Sequence, residues 1–184
     1  MNKNLEKVLE RSEESKLIET EFGRVAKDRS VGVVLFVWWI DRVTDKIMFL
    51  ANKSGTKTTE FKSTWNLPSG YLNWNETGEE GAARECLEEC GVEIDPKDIR
   101  LVETSTKPDE NPRQNVIFRY MAFSLGKPEV NLKIVDKNES VEIVFIKEDE
   151  VDNYEFAWKQ KETIKRLIEK AKIEKRIYLQ KTGR

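Results

Sequence analysis

The sequence predicts an α/β fold, a mixed β-sheet layered between helices, and three observations carry that prediction. The run Val31–Ile40 (VGVVLFVWWI) is apolar from end to end and stops at Asp41. It is about half the length a membrane span needs, so it reads as a buried strand. Strand-like and helix-like segments alternate along the chain without the regular period of repeated βαβ units, which implies a mixed sheet. A length of 184 residues, 38% of them hydrophobic, is enough for one domain with a real core.

From the N-terminus, Asn4 to about Glu19 carries apolar residues at Leu5, Val8, Leu9, Leu17 and Ile18, and residues 1–25 are expected to form a helical extension. Val31–Ile40 and Lys46–Ala51 are expected strands joined by a polar turn at Asp41–Asp45. Ser54–Ser63 is rich in Thr and Lys and reads as a loop. WNLPSG, residues 65–70, is a short extended piece ending in a turn. Thr77 followed by Glu80 makes a capping box that starts a helix near Gly78, and Gly91 stops it. Strands follow near Ile99–Thr104 and Asn115–Ser124, separated by the loop TKPDENPRQ, and then at Val141–Ile146. The chain closes with a helix from about Phe156 to Ile177 inside a basic segment, 156–184, and residues 1–184 are expected to be a single domain.

Composition excludes several chemistries. The chain has no histidine, which removes Ser-His-Asp and Cys-His catalysis, His-ligated zinc and imidazole acid–base work. Cys86 and Cys90 lie one helical turn apart, match no zinc or redox spacing, and read as small core residues. Chemistry must therefore come from carboxylates, Lys, Arg, Tyr or a hard metal ion. From Lys159 onward ten Lys and Arg stand against three Glu. Such a helix can bind nucleic acid or anionic lipid, but a solvated face balancing an acidic body is the expectation, so neither nucleic acid nor membrane is an expected partner. The first residues alternate charge and lack the apolar centre of a signal peptide, so the cytoplasm is the expected location.

The stretch GYLNWNETGEEGAARECLEECGV, Gly70 to Val92, concentrates the remaining chemistry. Its helix carries Glu79, Glu80, Glu85, Glu88 and Glu89 with Arg84 as the only cation, although like charges three and four apart repel. On a wheel at about 100° per residue, Glu85, Glu88 and Glu89 share one side. Ala83, Cys86, Leu87 and Cys90 form the opposite, buried stripe. Gly78, Gly81 and Ala82 lie on the glutamate side, and glycine there costs up to about 1 kcal/mol each relative to alanine. The expectation is that they leave room for a diphosphate against the backbone. Clustered carboxylate oxygens are what Mg2+ or Mn2+ needs, although a plain solvated acidic helix would look the same.

The spacing reads Gly70, five residues, Glu76, seven residues, Arg84-Glu85-Cys86, one residue, Glu88-Glu89, one residue, Gly91-Val92. It resembles the signature of the Nudix hydrolases, G-x5-E-x7-R-E-U-x-E-E-x-G-U with U apolar, at every fixed position. Cys86 stands where an aliphatic residue is usual, and Ser69 where a glycine is commoner. The resemblance implies an α/β/α sandwich around a mixed sheet, here with added N- and C-terminal helices. It implies hydrolysis of the diphosphate bond in a nucleoside diphosphate linked to another moiety, by metal-activated water attacking phosphorus. A nucleotide sugar such as ADP-ribose, a nucleoside triphosphate or a dinucleotide would serve.

By the same resemblance Glu85, Glu88, Glu89 and the Ser69 carbonyl would hold Mg2+ or Mn2+, and Glu76 and Arg84 would pair. Gly70 and Gly91 would serve as the motif's turn positions. The general base would be Glu85 or a later glutamate, for which NESVEIVF offers Glu139, preferred, and Glu142. Arg84 could instead contact phosphate. Trp65 and Trp74 flank the motif and could stack on a base, and Lys107 and Arg113 could meet phosphates. Two alternatives stay open, a non-catalytic metabolite sensor of the same family and an mRNA-cap or RNA-end hydrolase using the basic helix. Family members often pair, so a homodimer through the terminal helices also stays open.

Overall fold

The computed structural model describes residues 17–20, 23–26, 30–55, 63–107 and 115–183. Its strands are β1 (Leu17–Thr20), β2 (Gly23–Ala26), β3 (Val31–Ile40), β4 (Ile47–Ser54), β5 (Trp65–Asn66) and β6 (Ser69–Tyr71). Helix α1 (Gly78–Cys90) follows, then β7 (Ile99–Ser105), β8 (Val116–Phe123), β9 (Ser140–Lys147) and helix α2 (Gln160–Thr182).

Strand β3 is the spine of a seven-stranded mixed sheet. One of its edges runs parallel to β8, from Val31 opposite Val116 to Trp38 opposite Phe123. The other edge is shared: Trp38–Ile40 pair antiparallel with β4, whereas Gly32–Val34 pair antiparallel with β6. Beyond Phe49, β4 splays away from β3 and pairs with β5 at Asn52 and Lys53, β9 lines β4 antiparallel from Met48 to Ser54, and β7 closes the far side against β8. The segment 65–71 fills the resulting wedge, with the Leu35 N–H donating to the Pro68 carbonyl at 2.9 Å. That wedge carries Ser69 and Gly70 beneath α1.

Both faces of β3 are buried, which is why its sequence shows no polar alternation. Val34, Phe36 and Trp38 face α2 and pack with Phe49, Met121, Ile164, Leu167, Ile168 and Ala171. Val33, Leu35 and Val37 face α1 and pack with Leu50, Tyr120, Ala82, Cys86 and Cys90. Ile164, Leu167, Ile168 and Ala171 repeat at three- and four-residue steps, so α2 buries one stripe. Its outer cations pair with the body: Lys165 with Asp152 at 2.7 Å, Arg166 with Glu103 at 2.8 Å, and Lys175 with Asp45 at 3.0 Å. This matches the expected face that balances an acidic body.

Three expectations are corrected. Leu17–Thr20 and Gly23–Ala26 are not helical but form an antiparallel hairpin, Leu17 opposite Ala26; β-branched Ile18, Thr20 and Val25 suit extended backbone. The part of the expected helix before Leu17 lies outside the described residues. Helix α2 starts at Gln160 instead of near Phe156, because Phe156 bridges to Trp65 and the Ala157 N–H donates to the Trp65 carbonyl at 3.0 Å. Trp158 and Lys159 then take left-handed backbone (φ 52° and 55°) to turn the chain into the helix. On α1 the sealed positions are Ala82, Cys86 and Cys90, while Ala83 and Leu87 are only half-buried, so the helix rolls its acidic edge toward the sheet. Among the described residues no helix is long and apolar enough to cross a membrane.

Candidate active site

Helix α1 is set by its two ends. The Thr77 side chain accepts from the Glu80 N–H, and the Glu80 carboxylate accepts from the Thr77 N–H at 2.7 Å, a capping box. At the other end Gly91 adopts φ 62°, where a Cβ would stand 2.4 Å from the Asn131 carbonyl oxygen. Between them Arg84 staples helix to loop. Its Nε and Nη2 donate to the two oxygens of Glu76 at 3.0 and 2.8 Å, and Nη2 also donates to the Tyr71 carbonyl at 2.9 Å. This fork is the geometry that favours Arg over Lys. Hydrogen bonding from Arg84 holds the Glu76 carboxyl below its usual range.

The same guanidinium serves two further carboxylates, Glu85 at 2.7 Å and Glu88 at 3.0 Å. Glu85 is only 9% exposed and lies against Gly70 so closely that a Cβ there would be 2.1 Å from its carboxylate. Glu89 accepts from the Ser69 N–H at 2.9 Å, with the Asn52 amide at 3.5 Å. Burial raises the Glu85 carboxyl, and the charges of Glu88 and Glu139 add to the rise. Glu89 is pushed well up, first by burial and then by Glu85 and Glu139. Carboxylates from the helix and from the loop before β9 thus raise one another, and among the described residues Arg84 is the cation bonded to the helix carboxylates.

The structure separates the predicted residues. Glu139 joins the cluster through its field on Glu85 and Glu89, whereas Glu142 lies opposite Lys53 in the β4–β9 ladder and pairs with it at 3.7 Å. Trp65 packs edge-on against Tyr154 with Lys53 over its ring, and Trp74 is 59% exposed beside the motif. Arg113 lies outside the described residues. The glycines of α1 do not hold space for a ligand: a Cβ on Gly78 would fall 1.8 Å from the Tyr120 hydroxyl, and one on Gly81 would meet Leu72 and Glu76 near 3 Å. They make room for the protein's own side chains, which corrects the sequence expectation.

Behind Ser69 and Gly70, on the α2 face of β3 and β8, lies a cleft of about 180 Å3. Lys107, Asn115, Arg119 and Trp158 are among its walls. Sequence reasoning passed over Asn52, Asn115, Arg119 and Trp158. A signal existed for the third, a charged residue inside the otherwise apolar strand VIFRYMAF, whereas Asn52 begins the polar end of β4 and Trp158 carried none.

The donor set fits a hard divalent cation. Glu85 and Glu88 stand around Arg84, Glu85 and Glu89 resist ionisation as they stand, and the buried Asn52 Oδ1 has no hydrogen-bond partner among the described residues. Among the described residues no three acidic, Cys or His side chains converge on one point, and Arg84 occupies one oxygen each of Glu85 and Glu88, which leaves the other oxygen of each to ligate.

Comparison with known proteins returns a NUDIX domain family model over residues 28–167. Phosphatase NudJ of Escherichia coli (strain K12) is 36% identical over 62 residues, which is 34% of this chain and 40% of NudJ. The matched stretch therefore spans less than half of that relative. The NUDIX domain of Shewanella oneidensis NrtR, in complex with ADP ribose, shares the fold at a TM-score of 0.64 and 15% identity, over 93% of this chain and 99% of that one. A bifunctional NMN adenylyltransferase/ADP ribose pyrophosphatase from Francisella tularensis, in complex with AMP and a Mn ion, aligns at a TM-score of 0.52 and 18% identity, over 78% and 37% of the two chains.

Proposed function

The chain belongs to the Nudix family, and from that premise we propose that it is a metal-dependent hydrolase of the diphosphate bond in a nucleoside diphosphate linked to another moiety. One observation carries the reading: the buried Glu85 lies against Gly70 and Glu89 accepts from the Ser69 N–H beside it, and a cleft sized for part of a ligand opens on the other side of these two residues. Glu85, Glu88 and Glu89, with the Ser69 carbonyl, would hold Mg2+ or Mn2+; the Mn ion bound by the Francisella protein supports that class of ion. When bound, such an ion supplies Lewis-acid chemistry, making water a nucleophile and neutralising charge on phosphate oxygens.

The chain's own residues divide the rest. Glu139 takes the proton from the attacking water, because it faces Glu85 and Glu89 from a loop rather than from the helix they share. Arg84 positions the acidic edge against the loop through Glu76 and Tyr71. The ADP ribose held by the NrtR domain and the pyrophosphatase activity of the Francisella protein support a nucleotide or nucleotide sugar as substrate.

The test is a panel of nucleotides, nucleotide sugars and dinucleotides with Mg2+ and Mn2+, reading phosphate after phosphatase coupling. Glu139→Gln should lower kcat on the best substrate about a hundredfold or more, with Glu142→Gln close to wild type. No turnover of any member, or equal activity of the Glu139 variant, would overturn the corresponding part of the reading.

A further inference from the structure

The loop that carries Glu139 is folded around Asp136. The Asp136 carbonyl accepts from the Glu139 and Ser140 N–H groups, both at 2.9 Å, and its carboxylate accepts from the Asn138 N–H at 2.9 Å and from the Asn138 side-chain amide at 3.0 Å. An aspartate that bonds the backbone two residues on fixes a tight turn, so residues 136–140 shift together instead of bending at Asn138. This turn rests on the end of β4. The Gly55 N–H donates to the Glu139 carbonyl at 2.7 Å. Ser140 pairs with Ser54 just past an irregularity in the ladder, and such irregularities gather beside active sites. The Ser140 hydroxyl lies 2.7 Å from the amide of the buried Asn52, a contact that a hydroxyl makes with either end of an amide.

Gly55 is buried, and its φ lies outside the left-handed region, so its own backbone does not demand glycine. Its surroundings do. A Cβ there would stand 2.3 Å from the Asn138 carbonyl oxygen, 2.7 Å from the carbon behind it and 3.1 Å from the Glu139 carbonyl carbon. Those are backbone atoms, with no rotamer to escape into. Nor is the strand free to retreat. The Ser54 N–H donates to the Thr64 carbonyl at 2.9 Å, its carbonyl accepts from the Ser63 N–H at 3.3 Å, and its hydroxyl is bonded by the Asn66 amide. Relief therefore comes from the turn, which would back away by about 1 Å, and misplacement of that size is worth about a hundredfold in rate. Glu139 acts on Glu85 and Glu89 from this turn, so the seat of the turn decides its distance from the acidic edge of α1.

We propose that Gly55 and Ser140 are positioning residues: the missing side chain of one and the hydroxyl of the other seat the Asp136 turn on β4, and that seat fixes where Glu139 stands relative to α1. This rests on the reading of Glu139 as the group that takes the proton, while the seat itself needs neither metal nor substrate. Gly55 and Ser140 touch no reacting atom and act through Glu139 alone.

Gly55→Ala and Ser140→Ala test it, each alone and each combined with Glu139→Gln. Amide exchange at Glu139 and Ser140 is read in EDTA, and both variants should speed it at least about tenfold while the amides of β3 stay slow. With Mg2+ and the best substrate of the panel, Gly55→Ala should lower kcat about tenfold to a hundredfold, and Ser140→Ala should act in the same direction. KM should stay at wild type, as should the Mn2+ affinity read by electron paramagnetic resonance. In the Glu139→Gln background either change should cost less than about a further twofold, because the group it places is already gone. A merely structural role would lower Tm without a loss confined to kcat, or would cost as much with Glu139→Gln as without it. If Gly55→Ala does not fold, Ser140→Ala, which removes one oxygen, decides alone. Exchange or kcat at the wild-type level in a folded variant, or losses that multiply with Glu139→Gln, overturn the proposal. A wild type without turnover sinks the hydrolase reading instead, and exchange at Glu139 and Ser140 then decides this one.

Discussion

Replacing Glu89 by Gln should make the metal-free protein more stable and make it nearly deaf to metal. The amide keeps an oxygen to accept the Ser69 N–H now bound at 2.9 Å, and it removes one of the carboxylates that Glu85 and Glu139 repel. Relief of buried like charge is of the size of other single stabilising substitutions, about 1–2 kcal/mol. For a chain of this length that is about 2–8 °C in Tm. With metal the sign reverses. Mg2+ at about a hundredfold its Kd would stabilise wild type by about 2.7 kcal/mol, or about 5–11 °C, and the variant would lose most of that gain. Thermal melts of both proteins in EDTA and in millimolar Mg2+ at neutral pH should therefore cross. A Glu89→Gln protein that melts below wild type in EDTA would show that the negative charge serves the fold. One that gains as much from Mg2+ as wild type would show that Glu89 holds no ion.

Three further outcomes follow from the geometry. Gly78→Ala should cost about 1–3 kcal/mol in urea denaturation, and adding Tyr120→Phe should return part of it, because the hydroxyl lies 1.8 Å from the new carbon while the ring carbon behind it still crowds at 2.8 Å. Arg84→Ala should cost about 2–3 kcal/mol, short of the ~3–5 kcal/mol of a fully buried pair because a quarter of the side chain is exposed; Arg84→Lys should recover less than half, having charge without the fork. The pH dependence has a definite sign. Glu85 and Glu89 have folded pKa values raised above the unfolded 4.5, so the stability they lend is complete below that pH and is lost as pH rises through the folded values. Metal-free protein should lose Tm from pH 4.5 toward neutrality, and Mg2+, which displaces those protons, should flatten the slope. Glu76, held low by Arg84, works in the opposite sense only below 4.5. A flat profile in EDTA would contradict the crowding of Glu85 and Glu89.

What could be read from the chain alone is what local chemistry settles. Helix α1 begins and ends where Thr77, Glu80 and Gly91 place it, because caps are made by residues within a few positions of one another. The apolar run at β3 and the spacing of the Nudix motif are likewise properties of contiguous residues. Apolar residues at Leu17 and Ile18 fit a helical or an extended period equally, and pairing with Gly23–Ala26 decides for the extended one. The start of α2 was misplaced for a related reason: Phe156 and Ala157 are engaged by Trp65, ninety residues earlier in the chain.

Tertiary structure decided the rest, and the deciding quantity is register across the sheet. Regular register from Met48 to Lys53 sets Glu142 opposite Lys53, a shift after Lys53 then brings Ser140 opposite Ser54, and the Gly55 N–H holds the Glu139 carbonyl at 2.7 Å just before the strand. One residue of slip would exchange the faces of everything that follows in that strand, and no local pattern around Glu139 records it. The glycines of α1 belong to the same class: their space is filled by Tyr120, Leu72 and Glu76, neighbours that only the folded chain supplies. The sequence by itself determined which residues carry charge and where the helix runs; the packing of distant strands determined which of those charges meet, because contact between residues far apart in the chain depends on every register and crossing between them.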